Sequence, residues 1–233
     1  MSQQAVVLKL FEFAILVFAL SLHEAAHAWM AARLGDPTAQ MLGRLTLNPV
    51  KHIDPIGTVL VPLAMLFLFP SGFLIGWAKP TPVTPRNFKN LRRDDILTTL
   101  AGPVSNLLAA VGATILLIVF ARLNQTCAEV VRELIGVPGV GVSASSPAFP
   151  IVMLLYLTVG LNLILAVFNL VPLPPLDGSH VLRHFLPYRA LRAYDSIGMI
   201  GLLLFLFFGR GFMALFLGPL IFLVKWLLLR VAV

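Results

Sequence analysis

The sequence predicts an all-α fold, a polytopic helical bundle integral to a membrane, and three observations support that prediction. Hydrophobic residues make up 59% of the 233 residues and charged residues only 12%, and the mean hydropathy is +0.94. Soluble domains carry about 45–50% apolar and about 25% charged residues. Long apolar runs recur along the chain, and about 20 such residues cross the hydrocarbon core of a bilayer. These proportions exclude a soluble enzyme and a disordered chain.

Five apolar runs separated by polar loops define the expected helices. The second run contains Pro62 and a Pro-Ser-Gly break, whereas the third is uncharged throughout. We therefore expect about five membrane spans plus a re-entrant segment, or six spans, in a single domain over residues 1–233. No cleavable signal is evident, because the first run continues without a small-residue cleavage site. The runs cover residues 5–34, 56–77, 96–121, 148–173 and 197–229.

The charges fall mainly in the loops between these runs. Seventeen Lys and Arg against ten Asp and Glu give a formal net charge of +7. Placement in loops favours a role in orienting the chain in a membrane, and this includes the basic loop 86–93. The expected partner is therefore the lipid bilayer and no nucleic acid. Cys127 is the single cysteine, so an internal disulfide is excluded.

The first run contains the sequence HEAAH at residues 23–27, which is an HExxH motif. His23 and His27 are four residues apart, so they share one face of a helix and can bind one zinc ion. Glu24 is turned about 100° from His23, which places its carboxylate beside the metal to take a proton from water. Ionisable side chains inside a span are costly and are functional by default. The motif therefore predicts a catalytic metal site.

A catalytic zinc takes three protein ligands and leaves one position open, so a third ligand must come from elsewhere. Asp177, near the end of the sequence NLVPLPPLDG, is one candidate, and His52 and Asp54 in the first loop are others. An Asp-Gly turn or a helix N-cap would equally explain Asp177. The residue types alone leave these alternatives open.

HEAAH together with the later sequence NLVPLPPLDG resembles the site-2 protease family of intramembrane zinc metalloproteases. Residues 43–58, 76–85 and 101–106 are similar to its short bacterial branch without a PDZ domain, and the resemblance covers most of the chain. It implies one Zn²⁺ per chain, a transmembrane protein as substrate, and hydrolysis of peptide bonds in regulated intramembrane proteolysis.

The same resemblance implies roles for five residues of this sequence. His23, His27 and Asp177 would be the zinc ligands. Glu24 would be the general base, and Asn169 would bind substrate or stabilise the oxyanion.

The position of Asp177 also constrains the topology. The zinc site can form only if Asp177 comes to the same depth as the two histidines of HEAAH. We therefore expect residues 56–77 to enter and leave the membrane on one side, or to lie along it. Irregular backbone at that depth is acceptable where it lines a water-filled cavity.

The distribution of basic residues favours this re-entrant arrangement. It places eleven basic residues on one side and three on the other, whereas a full crossing gives nine against five. Because basic loops stay in the cytosol, the site is expected to open toward the cytosolic side of a bacterial-type inner membrane, with the N-terminus outside. The outer three are Lys9, Arg122 and Arg132, and the cytosolic eleven are Arg33, Arg44, Lys51, Lys79, Arg86, Lys89, Arg92, Arg93, Arg183, Arg189 and Arg192.

The last run is too long for one ordinary span. Its 33 residues, 197–229, would form a helix of about 50 Å. The sequence Gly209-Arg210-Gly211 is typical of a hairpin turn, which would return Lys225 and Arg230 to the cytosolic side. A single tilted helix is the alternative.

Three other functions fit parts of the pattern. A metal transporter or channel would distribute ionisable residues along several spans, whereas the later runs are almost bare of them. An inert scaffold that keeps a metal for stability would have no need of Glu24. A different HExxH protease would use a glutamate as its third ligand, but Glu129 and Glu133 are expected on the opposite side. The oligomeric state and a role for His180 are left open.

Overall fold

The computed structural model describes residues 3–68, 76–137 and 146–232, and within these residues the secondary structure is helical, without strands. The prediction of an all-α fold is therefore confirmed. The α-helices of the described ranges are α1 (Gln3–Arg33), α2 (Thr38–Met41), α3 (Val61–Leu68), α4 (Leu91–Leu123), α5 (Gln125–Ile135), α6 (Phe149–Asn169), α7 (Asp177–Arg183), α8 (Tyr188–Phe208) and α9 (Arg210–Ala232).

Four of the described helices are long and apolar enough to cross a bilayer, and a fifth is counted if the bent pair within α8 forms one span. Large apolar side chains such as Phe18, Leu108 and Phe222 are exposed on these helices. Such an exposed apolar surface is what a lipid-embedded bundle presents. The protein is therefore an integral membrane helical bundle. The four stretches are Val6–Arg33, Leu91–Leu123, Phe149–Asn169 and Arg210–Val231.

α4 is the central helix of the bundle and contacts α1, α5, α6, α7 and α9. Its packed face carries small side chains, among them Ala110, Ala113 and Ala121, which allow neighbouring backbones to approach closely. The helix begins five residues before the uncharged run because the Asn90 side chain caps it, accepting the Arg93 N–H. A charged first turn thus extends α4 beyond its apolar part.

The two ends of the second apolar run, residues 57–58 and 77, lie next to each other. Pro55–Leu60 forms a π-helix that continues into α3, and the run reappears at residue 76 without regular structure. The Trp77 N–H donates to the Gly57 carbonyl at 3.1 Å, and the Thr58 hydroxyl donates to the Trp77 carbonyl at 2.7 Å. A segment whose two ends are hydrogen-bonded to each other returns to its side of origin, in agreement with the re-entrant interpretation. The expected break at residues 70–72 lies outside the described residues.

An amphipathic helix, α5, occupies the loop expected after the third run. Asn124 caps its first turn, and Gly136 ends it with a φ of 85°. Its apolar face, which includes Val130 and Val131, packs in one cluster with α4, α6 and Leu228 of α9. We call this end of the bundle the α5 end, and the opposite end, which contains residues 23–27, the motif end.

α8 stays at the motif end. Its Tyr194 hydroxyl donates to the Pro172 carbonyl at 2.9 Å, and Gly209, directly after its last turn, lines a cavity with the same Pro172. The helix is bent by 65° at Gly198, where φ is 38°. A helix boundary is also found at Gly209, where the sequence indicated a turn.

α9 runs from the motif end to the α5 end. The hairpin prediction, which returned Lys225 and Arg230 to the side of the motif, is therefore wrong. Leu228 is fully buried in the cluster of the α5 end, and Lys225 lines a cavity with Glu12 of α1. Lys225 and Arg230 therefore lie at the same end as Arg122. The reason is length: the 22-residue span Arg210–Val231 of α9 rises about 33 Å, which is enough for a crossing, and the rest of the long run belongs to α8.

Candidate active site

His23, His27 and Asp177 meet at the motif end of the bundle. The Nε2 atoms of His23 and His27 lie 3.1 Å and 3.5 Å from Asp177 Oδ2, and the three candidate ligand atoms all lie within 4.8 Å of one another. Both histidines are more than nine-tenths buried. They precede Arg33, the last residue of α1, by about 15 Å and about 9 Å along the helix axis. The cluster is thus recessed within a helix that can span the bilayer.

The turn between α6 and α7 brings Asp177 to the histidines. Leu176, rather than Asp177, occupies the N-cap position of α7, so the N-cap alternative for Asp177 is wrong. A Cβ atom on Gly178 would lie 2.2 Å from the Leu170 carbonyl oxygen. Glycine is therefore required for α7 to pack this closely on the end of α6. The Asp-Gly pair thus places a candidate ligand next to the glycine whose close approach positions it.

The donor set and its spacing fit a zinc ion. Zinc–nitrogen and zinc–oxygen bonds of about 2.0–2.2 Å at tetrahedral angles hold two ligand atoms about 3.3–3.6 Å apart. The separation of 3.5 Å falls within this range, and that of 3.1 Å is 0.2 Å shorter. Asp177 Oδ2 is buried without a hydrogen-bond partner among the described residues, as expected for an oxygen that faces a cation.

The backbone of α4 forms one wall of the cluster. A Cβ atom on Gly102 would lie 2.4 Å from His27 Nε2 and 2.7 Å from His23 Cε1. Any larger residue at this position would occupy the space between the two imidazole rings. Gly102 thus allows α4 to pack directly against both imidazole rings.

α4 also holds the far side of each imidazole ring. His23 Nδ1 lies 2.6 Å from Asn106 Oδ1, and His27 Nδ1 lies 2.7 Å from the Thr98 carbonyl oxygen. Amide and carbonyl oxygens only accept, so each Nδ1 carries a hydrogen, and in the neutral ring each Nε2 then presents a lone pair to the cluster. The sequence offers a signal for Asn106, because a side-chain amide stands out in an otherwise apolar span. It offers no signal for Thr98, which acts through its backbone carbonyl.

Glu24 is held by a segment without regular secondary structure, residues 77–84. Its Oε2 accepts the Thr81 N–H at 2.7 Å, and the Thr81 hydroxyl donates to the Glu24 carbonyl at 2.9 Å. The two residues are 57 positions apart in the sequence, and nothing in the sequence pattern pairs them. Thr81 is therefore a site residue that sequence reasoning missed.

Asp36 anchors the same segment to the end of α1. The fully buried carboxylate accepts the Thr84 N–H and the Asn87 side-chain amide, each at 2.7 Å, and the Thr38 hydroxyl at 2.5 Å. Burial opposes ionisation, but these hydrogen bonds outweigh it and lower the pKa of Asp36 below its usual value. The anchor fixes the segment that contacts Glu24.

His52 and Asp54 do not join the cluster. His52 is almost fully buried, and its Nε2 lies 2.8 Å from the Thr46 carbonyl oxygen. Asp54 caps the π-helix by accepting the N–H groups of Ile56 and Gly57. Both residues therefore order the first loop.

Asn169 is the last residue of α6 and precedes Asp177 by eight positions. Its side-chain amide donates to the Leu165 carbonyl at 2.9 Å, within its own helix. The structure thus places Asn169 at the motif end without joining it to the histidines. His180, on α7, is exposed.

The alternative glutamate ligands lie at the α5 end. Glu129 and Glu133 belong to α5, which begins 19 residues after Asn106. That distance is about 28 Å along a helix axis. Neither carboxylate reaches the cluster, so Asp177 is the acidic candidate that does.

The fold and the cluster together define a class of protein. An HExxH helix that spans a membrane, with a carboxylate from a later helix beside its two histidines, is the constellation of a membrane-embedded zinc metallopeptidase.

Comparison with known proteins identifies the family. Residues 11–208 match peptidase family M50, and the chain belongs to that family. The chain is 36% identical over 191 residues to YwhC of Bacillus subtilis (strain 168), whose name proposes a zinc metalloprotease; the match covers 82% of this chain and 76% of the relative. It is 35% identical over 95 residues to the similarly named Rip2 of Mycolicibacterium smegmatis (strain ATCC 700084 / mc(2)155), covering 41% of this chain and 35% of the relative. No solved structure matches the chain.

These findings confirm the resemblance to the site-2 proteases. The protein is a zinc metalloprotease of the membrane, and its cofactor is Zn²⁺, which the cluster of two histidines and one aspartate fits.

Proposed function

We propose that this enzyme hydrolyses peptide bonds in or near the transmembrane segments of membrane proteins, as a step of regulated intramembrane proteolysis. The observation that carries the proposal is the depth of the cluster. His27 and His23 lie about 9 Å and about 15 Å inside the end of a membrane-spanning helix. A peptide bond that reaches this depth belongs to a segment within the membrane or its interface.

In the proposed site, His23, His27 and Asp177 would hold the zinc ion, each through one ligand atom. When bound, zinc lowers the pKa of water and polarises the scissile carbonyl. The Asn106 amide and the Thr98 carbonyl fix the two imidazole rings, so that both Nε2 lone pairs stay directed at the cluster. The protein thereby supplies a preformed donor set.

Glu24 acts as the general base in this proposal. It takes a proton from the attacking water and delivers it to the leaving amine. The Thr81 N–H holds Oε2 of the carboxylate at 2.7 Å, which leaves the other oxygen for the water. Because the bond to Thr81 fixes the carboxylate, the base is oriented before the substrate arrives.

The substrate must lose helical structure before it reacts, because a transmembrane helix satisfies its own amide groups. We assign Asn169, at the end of α6, to the unwound strand or to the developing oxyanion. Its Nδ2 donates to the Leu165 carbonyl in the structure. In this role the amide would exchange that bond for one to the substrate.

We further propose that the motif end faces the cytosol across the cell membrane, a bacterial-type inner membrane, and that residues 1–233 act as one domain. With Arg210 at the motif end and Lys225 and Arg230 at the α5 end, twelve basic residues lie at the motif end and five at the α5 end. This asymmetry follows the positive-inside rule. It persists although the hairpin prediction for the last run was wrong.

The substitution Glu24→Gln tests the proposed mechanism. We expect the variant, purified in lipid vesicles, to keep its zinc and to cleave a single-pass model substrate at least about 10²-fold more slowly than the wild type. Glu12→Gln is the matched control on the same helix, and we expect it to cleave at the wild-type rate. Cleavage by Glu24→Gln at the wild-type rate would remove Glu24 from the role of base.

The position of the cut tests the proposed substrate class. Mass spectrometry of the products from a single-pass substrate should locate the cleaved bond within or next to its transmembrane segment. A cut confined to a soluble domain far from that segment would contradict intramembrane proteolysis, while leaving the zinc protease assignment intact.

A further inference from the structure

A chain of buried side-chain amides links α6 to the candidate ligand His23. Asn162 Nδ2 donates to the Thr158 carbonyl at 2.9 Å, and Asn162 Oδ1 accepts from Asn106 Nδ2 at 2.8 Å. Asn106 Oδ1 in turn lies 2.6 Å from His23 Nδ1. Asn106 is fully buried and Asn162 is 2% exposed. The mechanism proposed above assigns no role to Asn162.

The hydrogen bonds of this chain can run in one direction only. The Thr158 carbonyl accepts, so it must face the NH₂ group of Asn162, and the oxygen of Asn162 is left to face α4. That oxygen, together with the Ala19 carbonyl at 3.2 Å, requires the NH₂ group of Asn106 on their side. The oxygen of Asn106 is thereby turned to His23 Nδ1. Each amide orientation is determined by the one before it.

We infer that Asn162 and Asn106 form a positioning relay that keeps His23 in the tautomer with hydrogen on Nδ1 and a free lone pair on Nε2. The inference rests on the proposed role of His23 as a zinc ligand. A reversed Asn106 amide would set its NH₂ group against the Nδ1 hydrogen and favour the other tautomer, which carries hydrogen on Nε2 and cannot bind a metal through that nitrogen. Asn106 and Asn162 are therefore positioning residues, not ligands.

The two histidines differ in how they are held. His27 Nδ1 meets the Thr98 carbonyl, a backbone acceptor that cannot reverse. His23 depends on a side-chain amide that can rotate by 180° unless its neighbours prevent it. This difference explains why two acceptors, the Ala19 carbonyl of α1 and Asn162 Oδ1 of α6, fix the orientation of the Asn106 amide. The Thr98 carbonyl belongs to the backbone and needs no such support.

Zinc affinity of the full-length protein tests the relay directly. The affinity is measured in detergent micelles by competition with a fluorescent zinc chelator. We expect Asn106→Leu to weaken zinc binding by about 10–100-fold. Asn162→Leu does not touch His23, and we expect it to weaken binding by a smaller factor, through loss of the acceptor that orients Asn106.

A second substitution separates positioning from a merely structural role. Asn162→Asp keeps an oxygen toward Asn106, and when protonated its O–H replaces the amide donor to the Thr158 carbonyl. The relay predicts tighter zinc binding by Asn162→Asp than by Asn162→Leu. A structural role predicts the opposite order, because a carboxyl group inside a span is destabilising and leucine is not. This pair carries the test even if Asn106→Leu does not fold.

Two controls make the outcome interpretable. Thr114→Val removes another buried side-chain hydrogen bond of α4, two turns from Asn106, and should leave zinc affinity unchanged. His23→Ala should lose zinc binding. Wild-type affinity in both leucine variants, with loss in His23→Ala, would overturn the relay and leave the proposed function standing. Wild-type affinity in His23→Ala itself would overturn the proposed metal site.

Discussion

The two ends of the helix bundle are built on different principles. At the α5 end, the largest buried side chains are apolar and include Leu117, Val130 and Leu228. At the motif end, a smaller apolar cluster is accompanied by buried polar side chains that make specific hydrogen bonds, as Asp36 and Asn106 do. The helices α4 and α6 contribute residues to both ends, so the same two helices support the apolar cluster and the candidate site.

The difference between the two ends indicates that the α5 end mainly stabilises the fold, whereas the motif end mainly positions the groups of the candidate site. Apolar packing is tolerant of direction, whereas hydrogen bonds between buried polar groups fix orientation and are costly when one partner is lost. We therefore expect substitutions at the α5 end to lower the free energy of unfolding without changing the zinc site. Substitutions at the motif end should change zinc affinity or turnover more than stability.

The largest effect is expected at Gly102. Gly102→Val places a branched side chain between the two imidazole rings, where even a Cβ would lie 2.4 Å from His27 Nε2. Zinc content, measured by atomic absorption, and proteolysis should both fall below detection. Gly112→Ala, on the same helix with nothing within 4 Å of its added Cβ, should retain both. Zinc retained by Gly102→Val would show that the wall of α4 does not bound the metal site.

The next effect is expected at the α5 end. Leu117→Ala opens a cavity in the apolar cluster and should lower the free energy of unfolding by about 2–4 kcal/mol. Chemical denaturation of the purified protein measures the loss, and zinc affinity should stay at the wild-type value. A change in zinc affinity as large as the change in stability would break the separation of the two ends.

A smaller, pH-dependent effect is expected at Asp36. Because its pKa is lowered in the folded protein, Asp36 stabilises the fold above the usual pKa of 3.8, and this stabilisation is lost as the pH falls through the folded value. Asp36→Asn should lower the free energy of unfolding by about 1–3 kcal/mol at neutral pH.

Thermal unfolding of the wild type and Asp36→Asn between pH 3 and 7 measures this dependence. The two curves should begin to converge as the pH falls below the usual pKa of 3.8, and they should meet only below the lowered pKa that Asp36 has in the folded protein. Asp195→Asn, which breaks an exposed pair with Arg183, should change stability by at most a few tenths of a kcal/mol. A difference between Asp36→Asn and wild type that does not depend on pH would contradict a role for the ionised carboxylate.

The smallest effect is expected at Thr81. Thr81→Val removes the hydroxyl bond to the Glu24 carbonyl but keeps the N–H that holds the carboxylate. One such hydrogen bond contributes about 0.5–1.5 kcal/mol, which corresponds to a reduction in kcat/KM of about 2–10-fold. Zinc affinity should not change, and loss of zinc in place of turnover would show that segment 77–84 supports the ligands and not the base.

The sequence predicted the parts of the structure that depend on composition and local spacing. The apolar runs that became α1, α4, α6 and α9 were recognisable because both lipid and a packed helix require apolar residues. The HExxH spacing brought out His23 and His27, since residues four apart share a helix face.

The parts that the sequence did not predict depend on contacts between distant residues. α5 was missed because its single apolar face is too short to resemble a span, and the turn of the last run was placed on the wrong side because the bend at Gly198 has no local signal. The partners of the site, Thr98 and Thr81, lie 71 and 57 residues from the side chains they hold. Thr98 acts through its backbone, which no residue type reveals.

The most direct test of the central claim is X-ray absorption at the zinc edge of the full-length protein in lipid. We predict two imidazole nitrogens at about 2.0–2.1 Å and one carboxylate oxygen at about 2.0–2.2 Å in the wild type, and no bound zinc in His23→Ala. A zinc shell that contains the sulfur of Cys127, or one unchanged by His23→Ala, would contradict the assignment of His23, His27 and Asp177 as the metal site.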